Sequence, residues 1–80
     1  MTNLEKYQNA FVESLELSIE NLSSASVETI TNWDSIGHMS LIAVIEESFG
    51  IEFQPDDIIA FSSYEKGIEL LRKYSIEIGL

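Results

Sequence analysis

Near the amino end, Leu4, Tyr7, Phe11 and Leu15 recur at intervals of three and four, with Glu5, Glu13 and Glu16 off that line. This spacing lays an apolar stripe along one face and predicts a first amphipathic helix. From about Glu20 to Trp33 the period is lost, and "ENLSSASVETITNW" scatters Leu22, Val27 and Ile30 among serine, threonine and asparagine. That stretch reads as a long loop. Loops of such length are uncommon in a small domain, so its apolar residues are expected to pin it across a core.

Asp34 offers an N-cap carboxylate and Gly50 a C-terminal stop, which bounds a second helix at roughly Ser35 to Phe49. After a short extended piece, Pro55 followed by Asp56 and Asp57 opens a short third helix ending near Ala60, since proline fits a first turn and acids complement the helix dipole. Ser62 with Glu65 matches a capping box. A fourth helix follows, in which Tyr64, Ile68, Leu71 and Ile78 keep helical spacing with Tyr74 beside them. Gly67 inside it costs about 1 kcal/mol of propensity against alanine, which marks it for a close helix contact. The expected fold is all-α: one domain over residues 1–80, a small bundle of three main helices and one short one, with a long loop between the first two.

Composition narrows the partners. The chain has 80 residues, 45% of them hydrophobic, enough for one core and too apolar for disorder. Four Lys and Arg stand against fourteen Asp and Glu, a net charge of −10, which repels phosphate backbones and anionic headgroups. Neither nucleic acid nor a membrane surface is an expected partner; a basic protein surface is. There is no cysteine, hence no disulfide framework and no thiolate nucleophile, in keeping with a reducing cytoplasm. The N-terminal stretch lacks the basic region and unbroken apolar core of a signal peptide.

On a wheel of about 100° per residue, Leu41, Ile42, Ile45 and Phe49 of the second helix share the core-facing stripe. Nearly opposite lie Ile36, Met39, Ser40, Ala43 and Glu47. An outer face should be polar, yet this one carries isoleucine and methionine near its start, with Glu46 and Glu47 towards its end. Apolar residues ringed by acids have the character of a docking surface; the alternative is that Ile36 and Met39 pack under the long loop. Ser35 falls in the first turn, where unpaired backbone N–H groups and the positive dipole end suit a phosphate ester on its hydroxyl. An Asp-Ser pair alone is no more than a cap.

In its context the pair says more. The run "DSIGHMSLIAVIEESFGIEF" resembles the phosphopantetheine attachment region of acyl carrier proteins: Asp-Ser, an aliphatic residue, a Leu/Ile-rich helix, Glu-Glu and Phe. "PDDIIAF" and "SSYEKGIELLRKY" resemble that family's third and fourth helices, while the first helix and the long loop fit its layout without a specific motif.

The resemblance implies that Ser35 carries a 4'-phosphopantetheine arm, transferred from coenzyme A by a phosphopantetheinyl transferase, the holo-acyl-carrier synthase, using Mg²⁺. The arm's thiol would hold an acyl group as a thioester. Asp34 would cap the helix and aid recognition by the synthase. Ile36, Met39, Ala43, Glu46 and Glu47 would form the face met by acyl-transferring or acyl-activating enzymes bearing basic patches. It also implies a monomeric shuttle of fatty-acid, polyketide or related metabolism rather than an enzyme. Family members serving bulk fatty-acid synthesis usually have acids where this chain has Gly37 and Ser40, which points to a dedicated pathway.

Other readings belong beside this one. A peptidyl or D-alanyl carrier shares the layout, and an unmodified helical interaction module would dock through Ile36 and Met39 with Ser35 bare. His38, the only histidine, faces the core side near Ser35 and Trp33, where local packing is the simpler role. Trp33 is expected to anchor the loop on the bundle. Glu46-Glu47 and Asp56-Asp57 lack the alternating ligands and central glycine of a calcium loop, so no metal is expected. Ile42, Ile45, Phe49, Ile59 and Phe61 are expected in the core, placed to part around an acyl chain.

Overall fold

The computed structural model describes residues 2–78. In chain order it comprises α1 (Asn3–Leu15), a 3-10 segment (Ile19–Ser24), α2 (Ser35–Phe49), α3 (Pro55–Ala60) and α4 (Tyr64–Lys73). The expected all-α bundle is the observed one. The only β-type pairing among the described residues is an isolated antiparallel bridge between Ser26 and Ser63.

Helix α1 begins in a capping box: Thr2 Oγ1 accepts from the Glu5 backbone N–H at 3.1 Å, and the Glu5 carboxylate accepts from the Thr2 N–H at 2.9 Å. Those bonds from Thr2 hold the Glu5 carboxyl below its usual range. The stripe read from the sequence is buried, with Tyr7, Phe11 and Leu15 fully inside. Helix α1 packs chiefly on α2, whose Leu41, Ile42 and Ile45 are also buried.

Aromatic rings fill the space between the helices. Phe11 lies 5.0 Å from Tyr7, 5.5 Å from Trp33 and 6.1 Å from Phe61, ring centre to ring centre. The Tyr7 and Trp33 rings stand edge-on to Phe11, at 69° and 82°, and add edge-to-face attraction to their burial. The Tyr7 hydroxyl donates to the Tyr64 carbonyl at 2.6 Å, and burial pushes its ionisation far up. Gly67 faces this pair. A Cβ there would collide with the Tyr7 hydroxyl and the Phe61 ring, which is the close contact its position in α4 implied.

The long loop is pinned as expected, although its first part winds into the 3-10 segment. Leu22, Ala25 and Trp33 are buried. Val27 N–H donates to the Ser62 carbonyl and Tyr64 N–H to the Ala25 carbonyl, each at 3.0 Å. Asn32 Nδ2 donates to the Leu15 carbonyl at 3.1 Å, closing the loop onto the end of α1.

Two expectations about α4 need correction. The cap is Ser63, not Ser62: its hydroxyl accepts from Lys66 N–H at 3.0 Å. Ser63 is held extended opposite Ser26, so the helix starts only at Tyr64. At the other end the helix stops at Lys73 instead of running to Ile78. Ser75 adopts a left-handed φ of 65°, and Ser75 N–H and Ile76 N–H bond back to the Arg72 and Leu71 carbonyls, the pattern of a Schellman stop. Ile78 is buried all the same, folded back beyond the helix.

A polar staple joins α3 to α4. Asp57, 6% exposed, accepts from Lys73 Nζ at 2.7 Å and from the Tyr74 hydroxyl at 2.6 Å. The Tyr74 oxygen in turn accepts from Gln54 N–H at 2.9 Å. The Lys73 bond, then the Tyr74 bond, holds the Asp57 carboxyl below its usual range, and the same contact raises the Lys73 ammonium.

Candidate functional site

Ser35 is the first residue of α2 and is exposed. Asp34 caps it as expected: Oδ1 accepts from Gly37 N–H at 2.9 Å, and the Asp34 carbonyl accepts from His38 N–H at 2.8 Å. These bonds use the third and fourth N–H groups of the turn. The first two, on Ser35 and Ile36, have no intrahelical acceptor by the geometry of a helix start, and they lie beside the Ser35 hydroxyl.

Gly37 is buried, and the space a Cβ would occupy is filled by the Asn32 backbone carbonyl, with Leu15 Cδ2 at 3.0 Å. An acidic side chain at this position is therefore excluded by the path of the loop.

His38 and Trp33 are tied together. Trp33 Nε1 donates to His38 Nδ1 at 2.9 Å, with the rings stacked at 6.3 Å. Since Nδ1 accepts, Nε2 carries the hydrogen and donates it to the Ile58 carbonyl at 2.7 Å. The relay thus runs from the loop, through the first turn of α2, to α3. Local packing was the role expected of His38; the bridging of three elements was not legible, because the Ile58 carbonyl is a backbone group twenty residues away.

Beside Ser35 lies a groove of about 420 Å³. Trp33 and Phe61, 4% and 1% exposed, form its floor. Val27 of the loop and Ile59 of α3, both exposed, form its rims, and Asp34, Ser35, His38 and Ser62 complete the lining. Ile59 is 81% exposed, which corrects its expected place in the core: it sits on the outer side of a short helix whose inward positions belong to Asp57 and Ile58. Phe49, expected in the core stripe, is half-buried, with Lys6 Nζ over its ring at 5.7 Å.

The outer face of α2 is open. Ile36 is 80% exposed and Met39 53%, so neither packs under the loop. Ser40, Ala43 and Glu47 are exposed on the same face. Glu46 differs: half-buried, its carboxylate accepts from Phe53 N–H at 2.8 Å and stitches the connection between α2 and α3. The cations lie elsewhere. Lys66 approaches Glu69, Arg72 approaches Glu77 and Lys73 pairs with Asp57, while Lys6 covers Phe49. Among the described residues no group of His, Cys, Asp and Glu is arranged to hold a metal ion, and no helix is long and apolar enough to cross a membrane.

No known protein-family model matches the chain, and a search of curated proteins finds no match.

Proposed function

We propose that this chain is a carrier protein whose Ser35 bears a 4'-phosphopantetheine arm and presents acyl intermediates to partner enzymes. The observation that carries this reading is the position of Ser35: an exposed hydroxyl at the first residue of a helix capped by Asp34, between an apolar groove and an open apolar-acidic face. The run from Asp34 to Phe53 that resembles the attachment region of acyl carrier proteins supports it.

The residues fit such an arm. The unpaired N–H groups of Ser35 and Ile36 and the positive end of α2 favour a phosphodiester at the Ser35 oxygen. Asp34 holds the first turn in register through Gly37, so the hydroxyl is presented at a fixed position. When bound, the arm supplies a terminal thiol for thioester chemistry, which a chain with no cysteine lacks. Ile36 and Met39 offer an apolar anchor, Ala43 a flat approach and Glu47 an exposed acid, while Glu46 mainly fixes the end of the face. With a net charge of −10, partners with basic patches are steered towards this surface, a transferase among them.

Incubation with coenzyme A, Mg²⁺ and a broad-specificity phosphopantetheinyl transferase is expected to add one phosphopantetheine to the wild type and none to Ser35→Ala. An unchanged intact mass, beside a control carrier that is loaded, contradicts the reading. The exposed Ile36 and Met39 also support a second reading, an unmodified interaction module. Under it, Ser35→Ala leaves partner binding intact.

A further inference from the structure

The bond between Trp33 and His38 exists in one protonation state of the ring. Trp33 Nε1–H donates to His38 Nδ1 at 2.9 Å, which requires a bare Nδ1, while Nε2–H is spent on the Ile58 carbonyl at 2.7 Å. A proton taken up by His38 has to land on Nδ1, where two N–H groups then point at each other. Resting on the reading of Ser35 as an attachment point, we propose that His38 is a proton-sensitive latch and positioning residue for that site. Neutral, it holds the first turn of α2 in the form that is loaded; protonated, it lets go of Trp33 and slows loading.

The latch lies next to Ser35. His38 N–H donates to the Asp34 carbonyl in the turn that begins with Ser35, and Trp33, Asp34, Ser35 and His38 line one groove. His38 is half-buried in that lining, so a proton reaches its ring without unfolding of the chain. Histidine is the side chain whose charge ordinarily changes near physiological pH.

The groups around the ring decide where the charge goes. Trp33 from the loop, the Ile58 carbonyl from α3 and Phe61 beyond it face His38, and none is charged. The one charged side chain in the groove lining is that of Asp34, the cap of α2; α1 and α4 contribute none. Asp57 of α3 is engaged by Lys73 and Tyr74, whereas Asp56 of α3 and Glu28 of the loop are exposed and outside the lining. An imidazolium released from Trp33 thus has Asp34 as the acid in its groove. Asp34 is also the residue whose carboxylate holds Gly37 N–H, and with it the turn that presents Ser35.

Release is local, because the loop stays pinned by other bonds. Val27 is tied to Ser62, Ala25 to Tyr64 and Asn32 to Leu15, while the Asp57 staple keeps α3 on α4. Nε2 donates in both protonation states, so the Ile58 bond does not oppose the proton. The tie between the loop and the first turn of α2 is the one that is lost.

Full-length protein labelled with ¹⁵N is titrated from about pH 7.5 to about pH 5.5, the span in which histidine ordinarily takes a proton. At the upper end His38 is expected as the Nε2–H tautomer, with the Trp33 indole N–H protected from solvent exchange. As His38 takes its proton, the indole protection factor is expected to fall about tenfold with the same midpoint, the worth of about one hydrogen bond, while the Leu41 and Leu71 amides stay protected. For loading, kcat/KM of the wild type is divided by that of His38→Gln at the same pH, which cancels the transferase's own response. This ratio is expected to fall about tenfold over the same span. The proposal is overturned by a ring with its hydrogen on Nδ1 at neutral pH, by one that stays neutral throughout, or by an indole N–H indifferent to the His38 titration. General loss of amide protection with the same midpoint, or a flat loading ratio, overturns it as well. A wild type that is loaded at no pH refutes the carrier reading instead, and the indole titration then decides the latch by itself.

Discussion

The indole N–H of Trp33 donates to Nδ1 of His38 at 2.9 Å, and this bond fixes which nitrogen of the histidine is left to hold the Ile58 carbonyl. The first turn of α2 is thereby clamped between the loop before it and the helix after the next connection. His38→Leu fills much of the same space but leaves the Trp33 N–H and the Ile58 carbonyl without their partner. A loss of about 1–3 kcal/mol in urea unfolding is expected, the usual cost of stranding a buried polar group. Trp33 fluorescence should report the same event. A variant as stable as the wild type contradicts the clamp.

Three glycines should respond differently to alanine. At Gly37 the added methyl meets the Asn32 carbonyl, and at Gly67 it meets Tyr7 and Phe61; both substitutions are expected to cost about 1–3 kcal/mol by overpacking. Gly50 has open space around it but a left-handed φ of 65°, so alanine there is expected to cost about 1 kcal/mol from backbone conformation alone. Urea midpoints for the three variants check the order. Gly37→Asp should be worse than Gly37→Ala, which separates a packing constraint at this position from a missing surface charge.

The staple between α3 and α4 sets an acid limit. Asp57 is held below its usual carboxyl range in the folded protein, so the unfolded chain binds the proton more readily. Its stabilising effect is fully present above the unfolded value of about 3.9 and is lost as pH falls through the depressed folded value. Lys73, raised by the same contact, contributes below its unfolded value of about 10.4 and loses that contribution as pH climbs through the folded one. Asp57→Asn should therefore lower the thermal midpoint at neutral pH, with the gap to wild type closing on acidification. A gap that is constant with pH rules out this linkage.

The open face of α2 should matter to partners and not to folding. Ile36→Glu, at a site 80% exposed, is expected to leave unfolding within about 0.5 kcal/mol of wild type. The same change should lower kcat/KM for loading by the transferase about tenfold, equal to about 1.4 kcal/mol. Added salt should slow loading of the wild type as well, because part of the encounter is electrostatic. Unchanged kinetics place the docking surface elsewhere.

Much of the fold was legible in the residues because its signals are local. Asp34 and Gly50 bound α2 on both sides, and the stripe of Tyr7, Phe11 and Leu15 sets the buried side of α1. What escaped depends on distant contacts. Ser62 was read as the cap of α4, and the pairing of Ser63 with Ser26, which the sequence does not signal, moves the cap one residue on. The stop after Lys73 uses a left-handed serine, where glycine is the usual sign. Ile36 and Met39 were identifiable as candidates from helical phase, and Ser35 from its place in the first turn together with the resemblance of the run around it, whereas the groove needed Val27 from the loop and Ile59 from α3 brought to one place.

The most direct measurement of the central claim is intact mass of the protein purified from the cells that produce it, with fragmentation to locate any added group. A fraction heavier by one phosphopantetheine, the addition mapped to Ser35 and absent from Ser35→Ala, is the predicted result. Folded protein carrying a bare Ser35 throughout, from cells whose transferase loads a control carrier, contradicts the account and leaves α2 as the face of an unmodified interaction module.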